Sequence, residues 1–374
     1  MTRLLKAIGL AVLLTAPSAL DTAQAQTSGA QGPQESHRET VARVNGGRVG
    51  IISGGIGGTY IRIATDLASV LDDGDRVRVL PIMGKGSVQN ISDILYLKGI
   101  DIGIVQSDVL SYMQRRAIHR DIQSRIHYIT KLHNEEFHLV AANAFKDIKD
   151  LAGRKVNFGV KGSGSDITAT TVFSSLEIDV VPVHYDQALA LDKVRKGEIA
   201  ATVYVAGKPA RAMSELKRRI GYKFLAVPFT EKLQKTYLPA RLSAKDYPNL
   251  IKRGAAVDTI AVGAVMAVFN WNPTNGRYQR VAKFIDAFFS NFDEFQKEPR
   301  HPKWREVNLA AKLPGWTRFP YAEQWLAKNK PQPPVATNQT FKQFLAAQGP
   351  NSGFSQPDLE VLFKKCVQWQ QTRQ

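Results

Sequence analysis

From Arg48 onward the chain alternates between two hydrophobic periods. Short β-branched runs are followed by glycine and serine turns, then by stretches with apolar residues at i, i+3, i+4 and i+7. Arg48 to Ser53 predicts a strand, Gly54 to Gly58 a turn, and Tyr60, Ile63, Ala64, Leu67, Val70 and Leu71 one face of a helix. The plan recurs with Val77 to Ile82, the turn Gly84-Lys85-Gly86-Ser87, and a helix carrying Val88, Ile91, Ile94 and Leu95. A third strand, Ile100 to Val105, ends at Gln106-Ser107-Asp108. Lys155 to Val160, then Lys161 to Asp166, lead into a helix with Ile167, Val172, Phe173 and Leu176. Ala200 to Val205 ends at Gly207-Lys208-Pro209 before a helix expected over 210–219. The ten-residue apolar run Ile260 to Phe269 predicts a strand buried on both faces, and Arg277 to Phe295 an amphipathic helix. This alternation is the signature of an α/β fold.

Outside that region the pattern lapses. Arg3 and Lys6 precede an apolar stretch, Ala7 to Ala16, which is too short to span about 30 Å of hydrocarbon. Ala23-Gln24-Ala25 follows as a cleavage site, so a secretory signal removed after Ala25 is expected. Residues 26–47 lack a period and read as a flexible lead-in. Lys330-Pro331-Gln332-Pro333-Pro334 reads as a break before a C-terminal extension, 331–374, with one helix from Gln356 to Gln371.

At 374 residues two lobes are expected, and 44% hydrophobic residues suit an ordinary globular core. The 50 basic and 33 acidic residues give a net charge of +17. Loss of Arg3, Lys6 and Asp21 with the signal lowers this to +16. Export removes chromosomal nucleic acid as a partner, which leaves an anionic solute or surface to account for the excess. Cys366 is the only cysteine, so no internal disulfide forms and a cysteine-ligated zinc site loses its support.

Strand ends that carry glycine turns into helix starts are anion sites, because the first helical N–H groups lack partners and the dipole is positive there. Other chemistry finds less support. Gly55-Ile56-Gly57-Gly58-Thr59-Tyr60 lacks the third glycine of a dinucleotide fingerprint, and Val79 stands where a Walker loop needs its first glycine. No serine sits in G-x-S-x-G. His133, Glu135, Glu136 and His138 are not spaced for zinc and are expected as solvated loop or hinge residues. Asp108, Asp166 and Asp186 are the candidates for paired-carboxylate chemistry, with Asp166 better suited to a helix first turn. No cofactor or metal is expected.

Ser53-Gly-Gly-Ile-Gly-Gly-Thr-Tyr60, Gly86-Ser87-Val88-Gln89-Asn90 and Asp101-Ile-Gly-Ile-Val-Gln-Ser-Asp108, in that order, resemble the TAXI solute-binding receptors of tripartite ATP-independent periplasmic (TRAP) transporters. Phe137-His-Leu-Val140, Leu151-Ala-Gly-Arg-Lys-Val-Asn157, Gly162-Ser-Gly-Ser165, Gly197-Glu-Ile-Ala200 and Gly207-Lys-Pro-Ala-Arg-Ala-Met-Ser-Glu-Leu216 agree with it. The likeness covers about 48–273 and, more loosely, runs to about 330.

The resemblance implies a bilobal periplasmic binding protein of type II, two α/β lobes closing about a hinge on a small solute. Lobe 1 would be 48–138 with 260–330, and lobe 2 139–259, crossing near His138–Ala142 and Thr259–Val268. Carried over by motif, the ligand would meet Gly57, Thr59 and Tyr60; Lys85, Gly86, Ser87 and Val88; Gln106, Ser107 and Asp108; and Lys161, Ser163, Gly164, Ser165 and Tyr204. Asp108 would receive an ammonium group. The family commonly has T-G-G-S at 84–87, Pro at Lys161 and an aromatic-Pro pair at Ile61-Arg62, so Arg62, Lys85 and Lys161 suggest a more anionic solute such as a dicarboxylate. The implied protein is a periplasmic monomer that makes or breaks no bond and hands an amino acid or organic acid, such as glutamate, to a separate TRAP-type permease. A receptor for a membrane sensor, or a secreted enzyme, are the alternatives.

Overall fold

A computed structural model describes residues 35–329, apart from 75, 120 and 217–220. The expected signal sequence and C-terminal extension, Cys366 and the basic run at 217–219 lie outside the described residues.

One mixed ten-stranded sheet organises the chain, with the order β2-β1-β3-β10-β4-β7-β5-β6. β1 (Arg48–Ile52), β2 (Arg78–Ile82) and β3 (Ile102–Gln106) are parallel. So are β5 (Lys155–Asn157), β6 (Val181–Val183) and β7 (Ala201–Ala206). Each trio meets a long antiparallel strand: β10 (Ala256–Phe269) beside β3, and β4 (Ile126–Ala142) beside β7. The two halves of the sheet therefore repeat one arrangement. β4 and β10 also pair with each other, and a register shift between Gly263 and Val265 marks that seam. β8 (Tyr222–Phe224) adds to β4, and β9 (Leu238–Ser243) to β10. The expected strand at 260–269 is present, and Thr259 to Val268 are buried, because both faces of β10 are covered.

The 3.6-residue stripes seat the helices. α2 (Thr59–Leu71) buries Tyr60, Ile63, Ala64, Leu67 and Leu71 against Val49, Ile51 and α10 (Gly276–Ser290). α3 (Ser87–Tyr96) and α4 (Val109–Arg115) cover the other face of that half. In the second half α6 (Gly164–Ser175) packs on one face and α7 (Gln187–Lys196) on the other. α5 (Ile122–Arg125), α8 (Arg211–Ser214), α9 (Glu231–Gln234), α11 (Phe292–Phe295) and α12 (Pro320–Lys328) complete the set.

Three expectations change. Within the lead-in, His37–Gly46 form helix α1, started by a capping box in which Ser36 and Glu39 satisfy each other's backbone N–H groups; none of its residues is buried. The helix expected over 277–295 breaks at Asn291 into α10 and α11. The helix expected over 210–219 amounts, among the described residues, to α8 and a turn.

Candidate functional site

The parallel strands of both halves end at one cavity of about 550 Å³. Its wall is formed by 54–60, 84–86 and Gln106 from the first half, Glu135 from β4, and 159–160, 163–165, 185–188, 204–206 and Ala212 from the second half. The amino ends of α2, α3, α6 and α7 all face it. Four positive dipole ends around one space favour an anion.

The ends differ in how they are satisfied. Ser163 Oγ accepts the Asp166 N–H at 3.3 Å and Asp186 Oδ1 accepts the Leu189 N–H at 3.0 Å, so α6 and α7 carry their own caps. α2 and α3 start at Gly58 and Gly86 and have no side-chain cap. The first-half helices thus keep backbone donors for a ligand. Replacing the Ser163 cap by alanine should lower stability by about 1 kcal/mol, read from the shift of a urea unfolding midpoint.

Buried side chains fix these turns. The Asn90 amide donates to Ser53 O at 2.6 Å and Ile104 O at 2.8 Å, tying the ends of β1 and β3 to α3. Ser87 Oγ accepts the Gln106 N–H at 3.0 Å, and Ser165 Oγ accepts the Val205 N–H at 2.9 Å. Gln187 Nε2 donates to Val203 O at 2.7 Å, holding α7 to β7.

Of the residues carried over by resemblance, Gly57, Thr59, Tyr60, Lys85, Gly86, Gln106, Ser163, Gly164, Ser165 and Tyr204 line the cavity. The others stand off its wall. Ser87 is fully buried, with its hydroxyl turned to β3. Val88 packs into the core cluster on the α3 and α4 side. Ser107 is spent on the seam: its N–H donates to Gly263 O at 2.8 Å, and its carbonyl accepts Trp316 Nε1–H at 2.9 Å. Lys161 is exposed and not part of the wall, and neither is Arg62. Lys85 is the cationic side chain among the lining residues.

Asp108, expected to receive an ammonium, instead joins the two halves. Its Oδ2 lies 3.0 Å from the Thr168 hydroxyl and accepts from Tyr237 at 3.1 Å. Thr168 Oγ1 is also 3.2 Å from Gln106 Oε1. Burial pushes the Asp108 carboxyl up to about 6 against the pull of those bonds. The halves meet elsewhere as well: Thr59 Oγ1 reaches Gly207 O at 3.4 Å, and a Cβ on Gly164 would stand 2.3 Å from Gln106 Oε1. Gly164 permits this approach.

The segment expected as solvated loop or hinge residues is not solvated: it is buried strand. His133 and His138 are fully buried, Glu135 is 2% and Glu136 4% exposed, all on β4, whose neighbours β10 and β7 exclude water. His138 Nδ1 donates to Tyr204 O at 3.1 Å, and Nε2 lies 2.6 Å from the Tyr247 hydroxyl. Burial holds this imidazole neutral, down to about 4. Glu136 pairs with Lys303 Nζ at 2.9 Å and accepts the Lys208 N–H at 2.9 Å. Glu135 reaches the cavity: Tyr60 O–H donates to its Oε2 at 2.6 Å, and burial pushes the carboxyl up to about 8. The spacing of these acids, unsuited to zinc, does not mark Glu135 as the wall residue it is. The run of apolar and β-branched residues on both sides of it was the available signal. Among the described residues no group of side chains is arranged to hold a metal ion, and no helix is long and apolar enough to cross a membrane.

Among solved structures, the chain is similar to one described as a periplasmic transporter (15% identity, 76% of this chain and 92% of that chain, TM-score 0.46). It is also similar to an ancestral arginine-binding protein bound to arginine (15%, 70% and 97%, TM-score 0.42). A third is an R. palustris protein with adipate (17%, 67% and 86%, TM-score 0.42). The model of the NMT1-like family matches residues 51–316, which span every cavity-lining residue. By that match the chain belongs to the NMT1-like family.

Proposed function

We propose that the protein is an extracytoplasmic solute-binding receptor of the TAXI type, which captures a small anionic solute and delivers it to a TRAP-type membrane permease. The solute class is an amino acid or organic acid, such as glutamate or a dicarboxylate. The observation that carries this reading is the convergence of four helix amino ends, two of them uncapped, on one cavity between the halves of the sheet. The cavity is of the size of small-molecule sites. We read 48–138 with 260–330 as one lobe and 139–259 as the other, joined through β4 and β10 in the manner of a type II periplasmic binding protein. A solute that touches both lobes favours the closed form by its differential contacts, and that form is what a permease would read. The reading assigns no catalytic step and needs no cofactor. It places the chain in the periplasm, as a monomer, once the signal is removed.

Native mass spectrometry of protein purified without denaturation tests it, since a solute held between two lobes is retained through purification. The expected result is a one-to-one complex with a small carboxylate that raises the melting temperature when added back; a ligand at 100 times its Kd stabilises by about 2.7 kcal/mol. Turnover of acidic metabolites by the pure protein would overturn the reading in favour of an enzyme.

A further inference from the structure

Glu135 is the acidic side chain on the cavity wall that is met by hydrogen-bond donors, with Lys303 acting on it only from a distance. Lys303 Nζ, the buried cation of this region, is held at 2.9 Å by Glu136 and at 2.9 Å by Glu306. Lys85 lies exposed on the wall. Glu136 is the next residue along β4, and Asp108 adds negative charge beyond Tyr60. The His133 Nε2 stands 4.0 Å from Glu135 Oε1, outside hydrogen-bond reach, and burial keeps that imidazole neutral. Tyr60 from α2 donates to Oε2 at 2.6 Å, the Gln106 side chain also hydrogen-bonds the carboxyl, and Tyr204 from β7 is a neutral phenol. An ionised Glu135 would therefore be a buried carboxylate relying on Lys303, which two other carboxylates already hold, whereas the neutral acid has one O–H and a cavity to direct it into.

We propose that Glu135 contacts the solute as a protonated acid, donating a hydrogen bond to a second oxygen acceptor of a ligand whose carboxylate sits at the amino ends of α2 and α3. This rests on the receptor reading and narrows it: the far end of the solute is a carboxylate, carbonyl or hydroxyl oxygen, not an ammonium. Burial, which already holds the carboxyl up at about 8, acts with the bound anion in the same direction. Binding then retains a proton on Glu135. Affinity is level below about pH 8 and falls about tenfold per pH unit above it, as the free protein loses the proton that the complex keeps.

The test is calorimetry from about pH 6 to about pH 9.5 in two buffers of different ionisation enthalpy, a range that brackets the Glu135 titration. The ligands are the α,ω-dicarboxylates from malonate to adipate and ω-amino acids of matching length. A dicarboxylate is expected to bind more tightly than its amino counterpart and, above about pH 8, with net proton uptake approaching one. Glu135→Gln mimics the protonated acid and should bind the dicarboxylate within about threefold of the parent with the pH dependence gone. Carbon-13 NMR of the Glu135 carboxyl in the unsubstituted protein gives a readout that needs no folded variant, with a midpoint expected near 8. Tighter binding of the ω-amino acids, binding without proton uptake, or a carboxyl midpoint in the ordinary range would overturn the proposal and leave the receptor reading standing. Failure of every carboxylate to bind would overturn the receptor reading and this inference with it.

Discussion

Replacing Lys303 by methionine should lower stability by about 3–5 kcal/mol, one of the largest losses available to a single substitution here. Lys303 is 1% exposed, on a 3₁₀ turn at Pro302–Glu306, and its ammonium bonds Glu136. Methionine fills much the same volume but strands the Glu136 carboxylate, whose remaining partner is the Lys208 N–H. The pair also has a position in the architecture. A Cβ on Gly207 would lie 3.1 Å from Lys303 Cγ, so the lysine stem packs against the loop leaving β7 while its head reaches β4. Loss of the pair should loosen the Tyr204–Ala206 wall as well as the fold.

The pH dependence of that variant identifies the cause. Burial already raises the Glu136 carboxyl, and Lys303 opposes the rise. Without the lysine the folded-state pKa climbs further above the unfolded one. A raised carboxyl contributes stability that is present below the unfolded pKa and lost as pH rises through the folded one. The deficit should therefore be largest near neutrality and shrink toward about pH 5. Urea midpoints at both pH values measure it, and adding Glu136→Gln should recover most of the loss. A deficit unchanged by pH and by the second substitution would point to packing instead.

Gly50→Ala is expected to cost about 3 kcal/mol or more, because the new methyl has no space. A Cβ there would stand 1.9 Å from Gly99 O and 3.0 Å from Gly99 C, both backbone atoms. Nor can the connection swing away: Asp101 N–H donates to Gly50 O at 2.9 Å, Gly50 N–H donates to Asp101 Oδ2 at 3.1 Å, and Arg280 holds Asp101 Oδ1 at 3.4 Å. Relief would mean shifting β1 away from the α3–β3 connection, with the turn at 54–58 following it. Gly276→Ala, where nothing lies within 4 Å of the added carbon, is the control and should change the urea midpoint little. A Gly50→Ala loss no greater than the control's would show that the connection yields.

Local rules made much of this protein readable from its residues. The glycine turns after β1 and before α3, Asp166 in the first turn of α6 and the apolar stripe of α2 are short-range features, set by backbone freedom, the helix dipole and a 3.6-residue period. They were enough to predict the α/β alternation and to mark the turns that line the cavity. The Ser36–Glu39 capping box is of the same kind, and was present to be read where a lead-in was expected.

What escaped was decided at long range. Charge, length and spacing say nothing of which strands will flank a segment, so His133 to His138 looked polar enough for solvent. β4 lies between β10 and β7 instead, and desolvation there sets the protonation of Glu135 and His138. Asp108 stands at the end of β3, as its position promised, yet Thr168 and Tyr237 come from the second half of the sheet to claim its oxygen. Arg62 and Lys161 stayed outside the wall because a long charged side chain remains in water unless the fold supplies a partner. The sequence by itself determined the elements and the helix ends that favour an anion, since neighbours a few residues apart decide those. The tertiary structure alone decided which side chains meet across the cavity and which acid keeps its proton, because burial and cross-sheet contact depend on residues tens to hundreds of positions away.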